Sequence, residues 1–514
     1  NLQKFGILYR IRYSATDPLF ANSHYFMTIN LIINKFKENN PNEDTSLLEL
    51  AYEFAQKAHS NQLRKSGEQY IQHCLHTAFV LAQMKTDINT IIAGLLHDVP
   101  EDTKYTLEEI AKNFGEEVAS LIEGVTKLSK IKYRGIERYR ESLRKMFLAM
   151  AHDLRVILIK FADRLHNLRT LDSLPPEKQI RIAKETMEIY TPIAGLLGIW
   201  RLKWQMEDIC FKYLQPEEYK NLEYKYEVEK KIENNQYIQQ IKNILGNRLK
   251  KEEMDFQITS RFKHLFSIYR KMQQKNYQFD EIYDVFALRI VVSTVADCYK
   301  VLGIIHSLWK PKTNRFKDYI AMPKPNGYRS LQTTVFGLDG KTTEFQIRTQ
   351  EMDEEAKYGI ASHWNYKTNN NNKENLKKQP RWIKEILKIQ HETENTHDFL
   401  KQIKFDIFHD RIFVFSPKGD AFDLPEGATP IDFAYAVHSN IGTQATGVRI
   451  NDKIAPLSQV LKNGDLVEII IEKKRKNPNR DWLKFVKTGK ARNRIKQTLK
   501  GTLLDNFKKY IPGM

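Results

Sequence analysis

The chain of 514 residues is too long for one ordinary hydrophobic core, which predicts three or four domains. Hydrophobic residues make up 41% and charged residues 28%, which excludes a disordered or fibrous protein, and no apolar run approaches the ~20 residues that cross a bilayer. The net charge of +18 favours polyanionic partners such as nucleotides, RNA or an anionic membrane, although a solvated lysine surface explains it equally well.

The N-terminal residues 1–26 hold several Arg and Tyr but a single acid, Asp17, and faintly resemble an organelle transit peptide. The helical pattern begins near Met27, so we expect residues 1–26 to be a leader outside the folded domains. The three cysteines lie far apart without a CxxC pair, which excludes a disulfide framework and fits a reducing cytoplasm.

The predicted elements change character along the chain. Apolar residues recur at helical spacing from Leu47 to about Leu202, which predicts an all-α domain at 27–203. The charged helical sequence at 204–251 is typical of a connector. Strand-like FALRIVVS and KTTEFQIRT then flank the helix-like VADCYKVLGIIHSLW, which predicts an α/β domain at 252–367 with a mixed, mostly antiparallel sheet.

The polar sequence TNNNNKENLKKQP indicates a linker at 368–407, with a short helix near Trp382–Ile389. A compact unit at 408–472 begins with RIFVFSPKGDAFDLPEG, a hairpin pattern whose turn lies at Pro417–Gly419, and ends with the strand-like NGDLVEIII. The basic, amphipathic tail at 473–514 predicts a helix or a pair of helices.

A metal site is predicted in the helical half. His97 and Asp98 end an apolar run, His73 precedes them and Asp163 follows. Two imidazoles and two carboxylates suit a borderline cation such as Mn²⁺, Fe²⁺ or Zn²⁺, which would lower the pKa of a bound water. An isolated His-Asp pair is usually without function, but a metal explains why two acids adjoin apolar helices. Two further acids could position that water or transfer a proton, Glu101 and Asp102.

These residues, with the flanking segments QLRKSGEQYIQH, HDVPEDT and ADRLHNLRT, resemble the HD hydrolase domain of the RelA/SpoT homologue family. The resemblance implies that the two histidines, Asp98 and Asp163 bind Mn²⁺, and that a metal-activated water removes the 3′ pyrophosphate of (p)ppGpp with help from Glu101 and Asp102. It also implies a set of nucleotide contacts, Arg64, Lys65, Ser66, Asn167 and Thr170. Cys74 stands where the family usually has proline, a departure that removes no ligand.

A second site is predicted in the α/β half. The segment SRFKHLFSIYRKM is expected to form one helical stretch carrying Arg261, Lys263, Arg270 and Lys271. Clustered cations fit a polyphosphate, although a solvated basic helix face is the simpler interpretation of this run alone. Two acids at the edges of predicted strands, Asp284 and Glu344, supply the carboxylates that Mg²⁺–triphosphate chemistry needs. An irregular loop between them presents Lys324, Asn326 and Tyr328.

This region resembles the synthetase domain of the same family over its full length, which implies transfer of pyrophosphate from ATP to the 3′-hydroxyl of GTP or GDP. The resemblance assigns ATP to Arg261, Lys263 and Lys271, Mg²⁺ to Asp284 and Glu344, and the guanosine nucleotide to Lys324, Asn326 and Tyr328, with Glu344 also activating the hydroxyl. The tetrad RFKD at 315–318 matches bifunctional members. The family pattern NGYQSLHTT is altered at Arg329 and Gln332, and Ser260 and Phe262 replace Gly and Pro, so we expect hydrolysis to exceed synthesis.

The third unit resembles a TGS domain with a β-grasp fold, and the tail resembles the start of the helical domain that follows it. The resemblance implies that His438 contacts the CCA end of uncharged tRNA, whereas sequence alone favours a packing histidine. The family's zinc-finger and ACT modules are not visible, so ribosome binding is expected to be weakened. The predicted function is therefore a bifunctional stringent-response enzyme; the alternatives are a hydrolase with a degenerate synthetase site and a non-enzymatic RNA-binding adaptor.

Overall fold

The computed structural model describes residues 26–129, 152–233, 237–279, 285–313, 315–324, 327–359 and 411–510, together with Met146, Ala149 and Ile282. Three predicted features lie outside this part of the chain. They are the leader, except for its last residue Phe26, the helix near Trp382–Ile389, and two site residues, Asp284 and Asn326. None of the described helices has the length and apolarity needed to span a membrane. The chain separates into two compact units, 1–132 with 152–377, and 133–151 with 378–514.

The first unit begins with the predicted all-α domain, which the structure confirms. Its helices are α1 (Ile29–Lys37), α2 (Ser46–Ala58), α3 (Tyr70–Gln83), α4 (Ile88–Leu96), α5 (Val99–Asp102), α6 (Leu107–Phe114), α7 (Glu116–Ser129), α8 (Leu154–Arg169), α9 (Pro176–Glu185) and α10 (Thr191–Leu196). Side-chain caps fix several starts: Asp87 accepts from the Thr90 amide at α4, and Asp153 from the Arg155 amide at α8. Helices α3 and α8 are buried on almost all sides and pack together, so they form the core of this domain.

The predicted connector is helical and continues into the domain on either side of it. It consists of α11 (Trp200–Leu214), α12 (Pro216–Glu233) and α13 (Tyr237–Lys251). The predicted boundary at 203/204 falls inside α11. This helix packs against α10 of the helical domain and also contacts elements of the α/β domain, so it belongs to both cores.

The α/β domain contains the predicted mixed sheet. Its strands are β1 (Phe256–Phe262), β2 (Phe286–Val292), β3 (Lys317–Asp318), β4 (Leu331–Phe336) and β5 (Thr342–Thr349), and its helices are α14 (Leu265–Lys275), α15 (Val295–Leu308) and α16 (Gln350–Tyr358). The strand order is β1-β2-β5-β4-β3, and only the β2–β5 pair is parallel among the described strands.

Alternation along the strands divides the sheet into two faces. One face carries apolar side chains such as Leu288, Val335 and Ile347, and it packs against α13 and α15. The other face carries polar side chains. The register places Arg261 opposite position 287 and position 287 opposite Glu344, so Arg261 and Glu344 share this face. The polar face is therefore the surface on which the second predicted site must be built.

One predicted element is wrong. The segment SRFKHLFSIYRKM is not a single helical stretch: Arg261 lies in β1, Lys263 follows that strand, and the helix α14 begins at Leu265. Ser260 to Phe262 are extended because they pair with β2, and Phe262 packs on Phe286 with ring centroids 5.5 Å apart. Pairing with a strand that comes later in the sequence overrides the local helical spacing.

The second unit contains the predicted β-grasp-like domain and tail. Its elements are β6 (Arg411–Phe415), β7 (Ala421–Pro425), α17 (Pro430–Val437), α18 (Ser439–Gln444), β8 (Ala445–Ile450), β9 (Lys453–Ala455), β10 (Val467–Ile471) and α19 (Gly489–Tyr510). The predicted hairpin is confirmed as β6 and β7, with Gly419 at a φ of 87° in the turn. Phe415 pairs in parallel with Leu466 beside β10, which joins the hairpin to the β10-β8-β9 sheet.

Candidate active sites

The predicted metal ligands converge in the helical domain. His73 lies on α3, His97 and Asp98 follow α4 directly, and Asp163 lies in the middle of α8. Nε2 of His73 is 3.3 Å from Oδ2 of Asp98 and 3.4 Å from Oδ1 of Asp163, and Nε2 of His97 is 3.2 Å from the same Asp98 oxygen. Ligand atoms of the two histidines and Asp163 lie within 4.8 Å of one another, so these residues form a candidate metal-binding group.

The chemistry of this group fits a divalent cation. Nδ1 of His97 is 2.8 Å from the Gly94 carbonyl oxygen; it therefore carries a proton, and Nε2 is the ring atom that faces the carboxylates. In the described part of the chain that Nε2 atom is buried without a well-aligned hydrogen-bond partner. Burial opposes a positive charge on His97, yet Asp98 and Asp163 outweigh it and raise its pKa to about 9. The field of the two acids thus favours positive charge at this point.

The predicted catalytic acids lie on the short helix next to the metal group. The Tyr70 hydroxyl lies 2.9 Å from Oδ2 of Asp98 and 2.6 Å from Oδ2 of Asp102, so it bridges the metal group to the helix α5. Glu101 is exposed; partial burial of its carboxyl and the nearby Asp98 raise its pKa. Sequence reasoning missed Tyr70, although it stands three residues before His73 on the same helix face.

The predicted nucleotide contacts of this site fall into two groups. Arg64 and Asn167 lie at the metal group: Arg64 donates to Oδ1 of Asn167, whose Nδ2 is 2.5 Å from Oδ1 of Asp163. Lys65 and Ser66 are exposed in the turn before α3. The fifth predicted nucleotide contact, Thr170, is buried at the C-terminal end of α8.

A buried lysine, Lys160, was not predicted. Its Nζ is 2.7 Å from Oδ2 of Asp163, the oxygen that faces away from His73. Its position three residues before Asp163 on α8 is the sequence signal that could have identified it. The contact leaves one Asp163 oxygen for a metal and neutralises the other.

The polar face of the sheet holds the second candidate site. Arg261 donates to Oε1 of Gln346 at 3.0 Å, and Nε2 of Gln346 donates to Oε1 of Glu344 at 2.8 Å. Glu344 is the third residue of β5 and lies within the strand rather than at its edge. The two other predicted ATP contacts, Lys263 and Lys271, lie just after β1 and on α14. The predicted Mg²⁺ partner, Asp284, lies outside the described residues.

Two arginines on this face were missed by sequence reasoning. Arg289 of β2 and Arg348 of β5 both reach Asp353 on α16, with N–O distances of 3.4 and 2.9 Å. Lys357 reaches the second oxygen of Asp353 at 2.6 Å, so one carboxylate faces three cations. Alternation along β5 from Glu344 was the available signal, since it places Arg348 on the same face.

The predicted guanosine loop crosses the same face. Gly327, with a φ of 79°, closes a turn in which its amide donates to the Lys324 carbonyl oxygen. Nζ of Lys324 lies 5.8 Å from the Tyr328 ring centroid, and the Tyr328 hydroxyl receives a hydrogen bond from Gln332 at 3.0 Å. Burial raises the Tyr328 pKa, but the nearby Arg348 and Arg261 outweigh it and the net change is downward.

Two remaining predicted residues have plain structural surroundings. Arg329, one of the departures from the family pattern, forms an ion pair with Glu355 at 2.8 Å. His438 is exposed between α17 and α18, where its Nδ1 accepts from the Asn440 amide at 3.2 Å. Its side chain thus caps the start of α18 at the surface, and both its predicted tRNA contact and the packing alternative at a helix end stay predictions.

Three segments of the chain match known families. Residues 51–200 match the HD domain, 260–371 the region found in RelA / SpoT proteins, and 412–471 the TGS domain. The order of these matches follows the two candidate sites and the β-grasp-like unit just described.

Curated relatives match most of the chain. A GTP pyrophosphokinase of Myxococcus xanthus is 44% identical over 90% of this chain and 61% of its own length. A guanosine-3′,5′-bis(diphosphate) 3′-pyrophosphohydrolase of Aquifex aeolicus is 47% identical over 88% and 64%. The bifunctional (p)ppGpp synthase/hydrolase SpoT of Escherichia coli is 44% identical over 94% and 68%. The chain spans about three fifths of the length of most of these relatives. Because it also covers 68% of the Escherichia coli relative at 44% identity, the chain belongs to the RelA/SpoT family.

Proposed function

We propose that the chain both synthesises and hydrolyses guanosine tetra- and pentaphosphate, (p)ppGpp, at two separate sites. The observation that carries the proposal is the convergence of His73 on α3, His97 and Asp98 directly after α4, and Asp163 on α8. A charged face on a separate sheet in the same unit supports the second activity. The names of the relatives, which include both a pyrophosphokinase and a pyrophosphohydrolase, agree with two opposed reactions.

The hydrolase site would hold Mn²⁺ between the two histidines, Asp98 and Asp163. When bound, such an ion supplies the Lewis acidity that makes a water nucleophilic near neutral pH. Arg64 and Asn167 would orient the 3′ pyrophosphate beside these ligands, with Lys65, Ser66 and Thr170 completing the nucleotide contacts. Water adds to the phosphorus attached to the 3′ oxygen, that P–O bond breaks, and GDP or GTP leaves with pyrophosphate. In this step the proton would be held or transferred by two acids, which are Glu101 and Asp102.

The synthetase site would work by positioning and charge compensation. Arg261, Lys263 and Lys271 would hold the ATP phosphates, and Mg²⁺ would be held by Asp284 and Glu344. The guanosine nucleotide would be held by a second set of residues, Lys324, Asn326 and Tyr328. The 3′-hydroxyl then attacks the β-phosphorus of ATP, the bond to the α-phosphate breaks, and AMP leaves. Glu344, which is half-buried beside Gln346, would accept the hydroxyl proton.

The TGS unit would bring the enzyme to RNA. The exposed ring of His438 is compatible with contact to the CCA end of uncharged tRNA, and the net charge of +18 favours a polyanionic partner such as tRNA or the ribosome. We also propose a cytoplasmic location, which fits these partners and the three cysteines, each of them free and buried.

Both reactions can be tested on the purified chain. Labelled ATP with GTP reports transfer, ppGpp with Mn²⁺ reports hydrolysis, and thin-layer separation resolves the products. We expect Asp98→Asn to lose hydrolysis at least about a hundredfold while keeping transfer, and Glu344→Gln to do the reverse. Loss of both activities in either variant, or neither activity in the wild type, would refute the proposal.

A hydrolase with a regulatory nucleotide site is the second candidate. The observation in its favour is Gln332, which occupies the position of the family's histidine and donates to the Tyr328 hydroxyl. This candidate predicts that ATP and GTP bind without exchange of label, whereas ppGpp is hydrolysed. Restoring the family residue with Gln332→His would raise the transfer rate if the site is a working synthetase.

A further inference from the structure

A second histidine lies directly behind the metal group. His166 on α8 is 2% exposed, and its Nδ1 atom is 2.9 Å from Nδ1 of His73 and 2.7 Å from Nη1 of Arg64. Spacing along α8 places both His166 and Asn167 next to Asp163, three and four residues after it. One nitrogen of His166 therefore contacts both a metal-group histidine and the arginine beside it.

The polarity of the Arg64 contact determines where the His166 proton lies. A guanidinium only donates, so Nδ1 of His166 accepts from Arg64 and the His166 proton is on Nε2. Nη1 of Arg64 is also 3.1 Å from Nδ1 of His73, so the arginine and the two imidazoles meet at three mutually close nitrogens. Nε2 of His73, on the other side of its ring, lies 3.3 and 3.4 Å from carboxylate oxygens of Asp98 and Asp163.

The ring of His166 is held in place by stacking. His76 lies one turn after His73 on α3, and its ring stacks on His166 with centroids 4.6 Å apart and planes 25° from parallel. Nε2 of His166 is buried without a hydrogen-bond partner among the described residues. Within the described residues the ring therefore makes its polar contacts through Nδ1.

We propose that His166 is a positioning residue: its Nδ1 acceptor holds the Arg64 guanidinium against the His73 ring and so fixes the position of both. The inference rests on the proposed hydrolase function. A metal ligand and a nucleotide-binding arginine that meet at one side chain cannot be displaced independently. Removing the acceptor therefore weakens metal binding and nucleotide binding together.

Two substitutions of similar size separate this role from simple packing. In His166→Asn the amide oxygen occupies the place of Nδ1, so an acceptor remains, whereas His166→Leu has none. Both variants lose the ring and its stacking on His76. A packing role predicts equal effects in the two variants, and a positioning role predicts that only leucine has a large effect.

The test measures Mn²⁺ affinity of the full chain by electron paramagnetic resonance without nucleotide, and KM and kcat for ppGpp at saturating Mn²⁺. We expect His166→Leu to raise the Mn²⁺ Kd ~10–100-fold and the KM about tenfold, and His166→Asn to change each less than about threefold. If His166→Leu does not fold, His166→Gln replaces it, because its oxygen extends past the Nδ1 position.

The outcomes separate this inference from the proposed function. Wild-type chain that binds no Mn²⁺ would overturn both. Wild-type binding that His166→Leu leaves unchanged would overturn the role of His166 alone. A raised Kd with an unchanged KM would refute the link to Arg64, and equal losses in the leucine and asparagine variants would reduce His166 to a packing residue.

Discussion

Asp208 is expected to make the stability of the first unit depend on pH. It lies on α11, 7% exposed, and its Oδ1 accepts from the Phe266 amide at 2.9 Å at the start of α14. Burial raises its pKa from 3.8 to about 7, although the amides of Phe266 and Leu265 oppose this. The folded state therefore binds a proton that the unfolded state has already lost, and stability falls as pH rises from about 4 to about 7.

The magnitude follows from the two pKa values. Each pH unit between them contributes ~1.36 kcal/mol, so the full cost of ionising the buried group is about 4 kcal/mol, of which about 3 kcal/mol falls between pH 5 and pH 8. Asp208→Asn keeps the acceptor oxygen but does not titrate. We expect the variant to gain about 3 kcal/mol relative to the wild type over this interval.

Urea unfolding of both proteins at pH 5 and pH 8 measures this difference. Tryptophan fluorescence is a suitable signal, because Trp204 on the same helix stacks on His264 with centroids 4.1 Å apart. All other titrating groups are shared by the two proteins and cancel in the comparison. A stability difference that is the same at both pH values would refute the reasoning, because it would mean that Asp208 is ionised in the folded protein.

Three further changes test the packing. Asp353→Asn leaves Arg348 without its buried partner at 2.9 Å, so we expect a loss of ~3–5 kcal/mol in urea unfolding; a loss below about 1 kcal/mol would contradict the ion pair. Gly359→Ala places a Cβ 2.2 Å from a backbone carbonyl oxygen at a φ of 56°, so it should lower the thermal midpoint by several degrees. Gly303→Ala, in an open helical position, should instead add ~1 kcal/mol to the free energy of unfolding, and similar responses of the two variants would argue against the close approach. Asp432→Ala removes the acceptor that binds two backbone amides before α19, at 3.0 and 2.7 Å, and should cost ~2–3 kcal/mol and speed proteolysis of the tail; unchanged cleavage would refute this role.

The metal group could be predicted from sequence because its members carry the chemistry themselves. His97 and Asp98 adjoin in an otherwise apolar segment, and His73 and Asp163 lie in motifs with their own polar residues. The arginines behind the second site were harder to identify. Arg289 stands in an otherwise apolar strand and Arg348 in a mixed one, and only the register shows that both face Asp353.

The predicted helix across Arg261 failed for the same physical reason. Its spacing is helical, but residues up to Phe262 pair with β2, which begins at Phe286. Strand formation depends on a partner whose position the local pattern does not contain. Roles assigned by resemblance alone, such as those of Lys65 or His438, stay predictions because no contact in the described part of the chain tests them.

Local sequence determined the order of the domains, the helical or extended character of most segments, and which residue types could bind a metal or a phosphate. Those properties follow from neighbours three or four residues apart in helices and two apart in strands. Only the tertiary structure decided which distant groups meet. Arg64 and His73 contact His166 across 102 and 93 residues of sequence, and packing of α3 on α8, not any local spacing, brings their nitrogens together.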